Sequence, residues 1–335
     1  MSLTHGGDIY GAARSFGWDW RDVLDASASI NPLGPAPGVA PAICGALERI
    51  VHYPDREPMR LNCALAKSWK IAPGQILLGN GATELIWFLA RIFYGTPVTL
   101  AAPVFSEFHR AFPEAALCTL SEPLGWPPSG LLVLTRPANP TGWSVPLEAV
   151  GLRLSGTSEP VVMDESFIEF TGLESAVALV RKYSHLIVLR SLTKFYALPG
   201  LRVGAIAASE QTMERWRRYR EPWQVNVLAE EAALAAIADS EHQRRSIEFT
   251  RSERVWLHAR ISGLAGTEPM AGDANYLFVR LHYPAADLCE HMLRHKILIR
   301  NCAEWPGLTG EAVRVAVRRH DENERLLRAW SEFQW

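Results

Sequence analysis

Hydrophobic residues in this chain form two patterns: short continuous runs, typical of buried strands, and spaced positions, typical of amphipathic helices. Residues 81–94 have the helical spacing, with Leu85, Phe88, Leu89 and Ile92 on one predicted face. A short strand at 75–80 precedes this helix, and five apolar runs follow it. These runs span residues 97–102, 131–135, 160–163, 186–190 and 203–208. Strands that alternate with helices predict βαβ units and a mainly parallel sheet.

The pattern changes in the last third of the chain. Residues 210–262 are predicted to be mostly helical, with a break at Pro222. From about residue 273 we predict a strand at 274–281, a helix at 284–295, strands at 296–300 and 312–318, and a helix at 323–333. The fold class is therefore α/β, with a second, smaller α+β unit. The predicted organisation is an N-terminal arm (1–37), a large domain (38–225) and a small C-terminal domain with connecting helices (226–335).

Composition and charge exclude several classes of protein. The 335 residues are 48% apolar, which excludes a disordered chain. Lys+Arg is 34 and Asp+Glu is 36, so the formal net charge is −2, and bulk charge does not favour nucleic acid or an anionic membrane. The chain has five cysteines without a C-x-x-C pair, no signal-peptide pattern and no apolar run long enough to span a bilayer. We expect a cytoplasmic protein without a membrane or nucleic-acid partner.

One pair of residues has the spacing of metal ligands. His291 and His295 are four residues apart and can share one helix face. No third ligand stands near them in the sequence, so we predict no metal site.

One segment combines a lysine, two hydroxyl groups and an arginine at the end of a predicted strand. The segment LIVLRSLTKFYALPGLRVGAI (186–206) places Ser191, Thr193 and Lys194 after the apolar run, and Arg202 follows eight residues later. A lysine amine can form a Schiff base with an aldehyde, whereas hydroxyls and a guanidinium can hold a phosphate. Pyridoxal 5′-phosphate (PLP) offers both groups. The alternative is a surface lysine beside capping hydroxyls.

Four further positions favour the same cofactor. Asp164 follows an apolar strand, where its carboxylate can pair with a protonated pyridine nitrogen or cap a helix. Asn139, in RPANPTG, can donate to the cofactor's phenolate oxygen or form an ordinary turn. Gly79–Thr83 lies between a predicted strand and helix, where free N–H groups bind phosphate. Phe108, in PVFSEF, can cover one face of the ring or belong to the core.

The motifs GNGATE, PVFSEF, RPANPTG, DESF, SLTK and PGLRVG, in this order, resemble those of the class I/II aminotransferase superfamily of fold-type-I PLP enzymes. This resemblance covers nearly the whole chain and implies the PLP-dependent transferase fold. It implies that Lys194 is the Schiff-base lysine, Asp164 the partner of the ring nitrogen, Asn139 the partner of the ring hydroxyl, and Phe108 the stacking residue. The implied phosphate ligands are Gly81, Ala82, Thr83, Ser191, Thr193 and Arg202.

The resemblance also implies a shared active site. Tyr53, in HYPDRE, resembles the tyrosine that reaches the phosphate of the neighbouring subunit, which implies a homodimer. Arg314, in AVRVAVR, resembles the arginine that binds the substrate's α-carboxylate. The chain departs from many relatives at Phe167, where they have a tyrosine that donates to the cofactor oxygen. Phenylalanine has no donor for this contact.

Within the superfamily the chain is most similar to two groups, the threonine-phosphate decarboxylases of cobalamin biosynthesis and the histidinol-phosphate aminotransferases. The segments HGGDIYGAAR, EPWQVN and ILIRNCAEWPGL favour the decarboxylases. The resemblance therefore implies decarboxylation of O-phospho-L-threonine to (R)-1-amino-2-propanol phosphate, with a histidinol-phosphate or related aminotransferase as the alternative. Both substrates carry a phosphate, for which His5, Asn31 and Arg300 are candidate ligands, while Arg314 is left for the carboxylate.

Overall fold

The computed structural model describes residues 6–119 and 129–335 of the chain. The strands in these ranges are β1 (Leu24–Asp25), β2 (Ile76–Gly79), β3 (Val98–Ala102), β4 (Ala116–Thr119), β5 (Leu131–Thr135), β6 (Val161–Asp164), β7 (Leu186–Ser191), β8 (Gly204–Ala207), β9 (Thr267–Pro269), β10 (Tyr276–Leu281), β11 (Ile297–Leu298), β12 (Arg300–Asn301) and β13 (Ala312–Ala316). The α-helices are α1 (Ile9–Phe16), α2 (Val39–Ala46), α3 (Met59–Trp69), α4 (Gly81–Ile92), α5 (Ser106–Ala111), α6 (Leu147–Ser155), α7 (Glu210–Arg217), α8 (Val227–Ala238), α9 (Ser240–Ile261), α10 (Ala285–Arg294) and α11 (His320–Ser331).

The central sheet has the strand order β2-β8-β7-β6-β5-β3-β4. All neighbouring strands are parallel except at β8, which runs antiparallel to both β7 and β2. The prediction of a mainly parallel α/β sheet is confirmed, and each of the six predicted strands of this region is present. The sequence analysis did not predict β4, a short edge strand whose residues are mostly exposed.

The inner strands are continuous apolar runs, because both faces of the sheet are buried. In β5, Leu132 and Leu134 pack into the apolar cluster on one face, whereas Leu131 and Val133 pack into the cluster on the other. The helix predicted at 81–94 is α4, which buries its apolar face against the second cluster. The carboxyl ends of β5, β6 and β7 therefore meet at one edge of the sheet, where a parallel α/β fold places its ligands.

A smaller antiparallel sheet, with the order β12-β13-β10-β9, forms a second core with α10 and α11. The single strand predicted at 296–300 was wrong in detail, because the segment divides into two short strands in different sheets. β11 pairs in parallel with β1, and β12 pairs with β13. The N-terminal arm thus contributes a strand to the C-terminal part of the molecule.

The helical region between the two sheets is interrupted at the predicted break, since 218–226 is not α-helical around Pro222. α8 begins at the Asn226 cap, whose side chain accepts from the N–H of Ala229 at 2.8 Å. α8 packs on α2 and α3 with a row of buried alanines, so it belongs to the core of the central sheet. The domain boundary at residues 225 and 226 stays a prediction.

Candidate active site

Asp164 lies at the carboxyl end of β6 and is buried. Its Oδ1 accepts two hydrogen bonds from Ser166, one from the backbone N–H at 2.9 Å and one from the side-chain hydroxyl. Burial raises the pKa of Asp164 to about 6, and the two hydrogen bonds from Ser166 oppose that rise. Such a carboxyl is suited to a partner that carries a proton on a ring nitrogen, because that proton supplies the missing counter-charge.

Lys194 lies in the turn that follows β7, the neighbouring strand. Burial, together with the positive charges of Arg314 and Arg202, lowers the pKa of the Lys194 amine to about 8. The negative charges of Asp25 and Asp164 oppose this effect. A substantial fraction of this amine is neutral near neutral pH, and the neutral form is the one that attacks an aldehyde.

Arg314 reaches the same edge from β13 of the smaller sheet. Its guanidinium donates to Asn139 Oδ1 at 2.5 Å and to the Ser27 carbonyl at 2.7 Å, and it lies over the Tyr276 ring at 5.1 Å. The Nε atom of Arg314 is buried without a hydrogen-bond partner among the described residues. Arg314 and Asn139, predicted from distant segments, are therefore brought into direct contact.

An arginine and a strand approach the first turn of α4 closely. Gly81 has a φ of +80°, and a Cβ there would approach Arg202 Nη2 to 2.5 Å, so the guanidinium lies directly against this backbone. A Cβ at Gly204 would approach the Ala82 nitrogen to 2.8 Å. Two glycines thus permit a close approach of an arginine and a strand to a helix N-terminus, whose first N–H groups have no partner within the helix.

Two buried hydroxyls lie at the end of β7, close to Lys194 in the sequence. Ser191 Oγ and Thr193 Oγ1 are 2.8 Å apart. Their mutual hydrogen bond uses one hydroxyl proton, and the hydroxyl that accepts it keeps its own proton to donate to an anion. With Arg202 and the α4 backbone, they form a donor set that fits a phosphate monoester.

These residues fit pyridoxal 5′-phosphate. Donors for a phosphate, an amine of lowered pKa and a carboxyl of raised pKa lie at one sheet edge, as the phosphate, aldehyde and ring nitrogen of that cofactor require.

Two of the predicted site residues, Phe108 and Asn31, are occupied by contacts within the protein. Phe108, in α5, is completely enclosed in the apolar cluster beside the sheet, so no face of its ring is accessible. The Asn31 amide donates to the Phe195 carbonyl and to Ser246 Oγ, both at 2.8 Å, and accepts from the Leu33 N–H. Ring stacking by Phe108 and substrate binding by Asn31 stay predictions, and the contacts of Asn31 favour an anchoring role for it.

Three further residues were predicted to belong to the site: Arg300, Tyr53 and His5. Arg300 pairs with Arg314 in the register of β12 and β13, and it packs over Trp305. Tyr53 is 80% exposed and stacks on Trp223, with ring centroids 4.6 Å apart. His5 lies outside the described residues.

The sequence analysis missed several groups that complete the site. Asp25 accepts from the N–H and hydroxyl of Ser27 and from the Ala28 N–H, which holds the turn whose carbonyl binds Arg314. Only the fold reveals this contact, because 287 residues separate Ser27 from Arg314. The hydroxyl of Ser166 was visible as a D-x-S pattern, which is typical of local side-chain turns.

Glu165 follows Asp164 but points into a different environment. It accepts from Arg136 Nη1 at 3.2 Å, the Ala176 N–H at 2.9 Å and the Ser175 hydroxyl, and Arg190 Nη1 lies 3.7 Å away. This buried ion network lies beside the same sheet edge, and both carboxylate oxygens of Glu165 have partners in it.

Among the residues that the structure describes, no group of three or more metal-ligating side chains lies close enough to bind a metal. The His291 ring lies 2.7 Å from the Ala329 carbonyl. No helix in the described ranges is long and apolar enough to cross a membrane.

Comparison with known proteins agrees with this geometry. Residues 113–329 match the family model for aminotransferase class I and II. The chain is 36% identical to the threonine-phosphate decarboxylase of Salmonella typhimurium, over 98% of this chain and 96% of the relative. Two solved structures, each 26% identical, cover 92% of this chain and 98% of their own. They are the histidinol-phosphate aminotransferase of Clostridium acetobutylicum, with a TM-score of 0.86, and the L-threonine-O-3-phosphate decarboxylase of Porphyromonas gingivalis, with a TM-score of 0.84. The chain therefore belongs to the aminotransferase class I and II family and is a PLP-dependent enzyme.

Proposed function

We propose that this enzyme decarboxylates O-phospho-L-threonine to (R)-1-amino-2-propanol phosphate and CO₂, as a cytoplasmic step of cobalamin biosynthesis. The observation that carries the proposal is the similarity, over 98% of the chain, to the threonine-phosphate decarboxylase of Salmonella typhimurium. The site supports it, because Arg314 offers a buried guanidinium for a carboxylate beside the Lys194 amine.

Each cofactor contact is proposed for a residue that the fold holds in place. Lys194 binds the aldehyde, Asp164 the ring nitrogen and Asn139 the ring hydroxyl. The phosphate is held by the first turn of α4, Arg202 and the two hydroxyls of the Ser191–Thr193 pair. Phe167 cannot donate to the ring oxygen, so Asn139 is the side chain left for that contact.

PLP, held by these residues, would supply an electron sink for the pair that the breaking Cα–carboxylate bond leaves on Cα. Asp164 stabilises the proton on the ring nitrogen, since its ionised carboxylate is buried without a cation within salt-bridge distance in the described part of the chain. Arg314 orients the substrate's carboxylate until CO₂ leaves. Lys194, which would hold the cofactor's aldehyde, would also return a proton to Cα. The carbon that loses the carboxylate thus gains one proton, which balances the reaction.

The alternative is a histidinol-phosphate or related aminotransferase. The similarity in fold to the solved histidinol-phosphate aminotransferase from Clostridium acetobutylicum supports this alternative function. The two reactions differ in the bond that breaks at Cα, carboxylate in one and hydrogen in the other. Arg314 can hold a carboxylate in either orientation, so its position supports both.

Product analysis tests the choice. The PLP-loaded enzyme is incubated with O-phospho-L-threonine alone, and separately with L-histidinol phosphate and 2-oxoglutarate. We expect CO₂ and aminopropanol phosphate from the first mixture. Glutamate from the second mixture, with no CO₂ from the first, would make the protein an aminotransferase. Enzyme with Lys194→Ala is the control in both mixtures.

We also propose that the enzyme is a homodimer with shared active sites. A surface of exposed apolar side chains includes Ile50, Val51 and Tyr53, the last stacked on Trp223. An exposed patch of this kind is typical of an interface, and Tyr53 would reach the partner's proposed phosphate site from it. Light scattering is expected to give twice the chain mass. Tyr53→Phe, compared with wild type, is expected to weaken PLP binding several-fold while the dimer persists.

A further inference from the structure

We propose that the hydroxyl of Ser166 is a positioning group, which fixes the orientation and charge of the Asp164 carboxylate. This inference rests on the proposed role of Asp164 toward the ring nitrogen, but it does not depend on which substrate the enzyme uses.

Both donors of Ser166 bind the same oxygen of Asp164. The backbone N–H and the side-chain hydroxyl both reach Oδ1. Oδ2 has no protein donor among the described residues, and it is not among the buried atoms that lack a partner. One oxygen is therefore held by the protein while the other stays open to the site. This division sets the plane in which Oδ2 can meet a ring N–H.

The nature of the donor matters as much as its position. No lysine or arginine lies within salt-bridge distance of Asp164 in the described ranges, whereas Glu165 beside it has Arg136. A hydroxyl stabilises a carboxylate without neutralising its charge. The full negative charge of Asp164 thus remains available to a protonated ring nitrogen, which an arginine partner would weaken.

The hydroxyl is separable from the local backbone turn. An aspartate that accepts from the N–H two residues later is a common turn, and this bond survives any substitution that keeps the backbone. Phe167, the next residue, has no donor and packs edge-on against Tyr276 at 5.1 Å. The Ser166 hydroxyl is consequently the one side-chain donor that the DESF turn offers to Asp164. Removing it isolates its effect.

The test measures the titration of Asp164 directly. In cofactor-free protein, infrared difference spectra across pH follow the protonated carboxyl, and its band is assigned by its loss in Asp164→Asn. In Ser166→Ala we expect the midpoint to move upward by about one pH unit, because a hydrogen bond to a charged group is lost. Ser166→Thr keeps the hydroxyl and is expected to restore the wild-type midpoint.

Ser175→Ala is the matched control, because it removes a hydroxyl from the neighbouring carboxylate, Glu165, in the same buried region. We expect it to leave the Asp164 midpoint unchanged. If Ser166→Ala does not fold, Ser166→Cys replaces it, since a thiol is a weaker donor and an intermediate upward shift is expected.

An unchanged midpoint in Ser166→Ala or Ser166→Cys, or an equal shift in Ser175→Ala, would overturn the proposal. A second readout is the absorbance of the PLP-loaded enzyme across pH without substrate, whose acid transition should follow the same order of variants. Failure of the decarboxylation assay would leave both titrations interpretable, so the two proposals fail independently.

Discussion

Asp164 and Glu165 are adjacent, equally buried carboxylates in opposite environments. Glu165 has Arg136, Ser175 and the Ala176 N–H as partners, and Arg190 nearby. Among the described residues, Asp164 has only the donors of Ser166, and burial raises its pKa to about 6. The comparison teaches that burial alone does not make a carboxyl reactive. What distinguishes the site is incomplete compensation, which leaves a charge for a ligand to satisfy.

The largest difference between the two regions concerns activity. Lys194→Ala removes the amine proposed to bind the aldehyde and to return a proton, so turnover is expected to fall by at least about 10³-fold. Its thermal unfolding temperature is expected to stay equal to or above that of the wild type, because a buried amine is lost. Assays of product formation and thermal unfolding check both. Activity retained within tenfold would remove Lys194 from the reaction.

Glu165→Ala is expected to do the reverse, that is, to lose stability rather than activity. It leaves Arg136 buried without its carboxylate, and breaking a buried ion pair costs about 3–5 kcal/mol in the free energy of unfolding. Denaturant titration of the cofactor-free protein measures the loss. Glu165→Gln, which retains an acceptor of the same shape, is the control and is expected to lose less. An unaffected Glu165→Ala would mean that the network does not stabilise the sheet edge.

The amine of Lys194 is expected to become reactive at a lower pH than the amine of an ordinary lysine. Since burial, Arg314 and Arg202 lower the pKa of Lys194 to about 8, about a quarter of it is neutral at pH 7.5, roughly two hundred times the fraction of an unperturbed lysine. Labelling of cofactor-free protein with an amine reagent, read by peptide mass spectrometry, should give a Lys194 rate that levels off above pH 8. A rate that still rises tenfold per pH unit at pH 9 would contradict it.

The smallest expected effect is a pH-dependent stability. The folded state raises the pKa of Asp164 from 3.8 to about 6, so it binds this proton more tightly than the unfolded chain does. The contribution is present below pH 4 and is lost as pH rises through 6. Cofactor-free Asp164→Asn lacks this titration. Relative to wild type it should gain about 2–3 kcal/mol in unfolding free energy between pH 4 and pH 7. Parallel stability curves for the two proteins would refute it.

The same comparison explains what the sequence could predict. Asp164 and Lys194 follow apolar runs directly, so their place at the sheet edge follows from the alternation of strands and helices. The fold class was predictable for the same reason. The division of 296–300 into β11 and β12 was not, because the partner of β11 lies in the distant N-terminal arm, whereas β12 pairs with β13 in the smaller sheet.

Contacts over long chain separations account for the remaining gaps at the site. The link from Arg314 to Ser27 has no local signal, since it needs the arm and the smaller sheet to meet. Asn31 illustrates a different gap. Its role in substrate binding stays a prediction, and the sequence did not show that its amide donates to Phe195 and Ser246. A polar residue in a loop does not indicate whether its partner is a ligand or the protein itself.

The pairing of β1 with β11 has a consequence for the order of events on the ribosome. Leu24 pairs with Ile297, so β1 has no strand partner until 273 further residues have been synthesised. At usual rates of synthesis this wait lasts roughly 14–55 s. Throughout it, Arg314, the proposed carboxylate ligand, has not yet been added to the chain, so the Ser27 carbonyl lacks its partner. The nascent chain therefore contains the proposed phosphate-binding residues well before it contains the proposed substrate site.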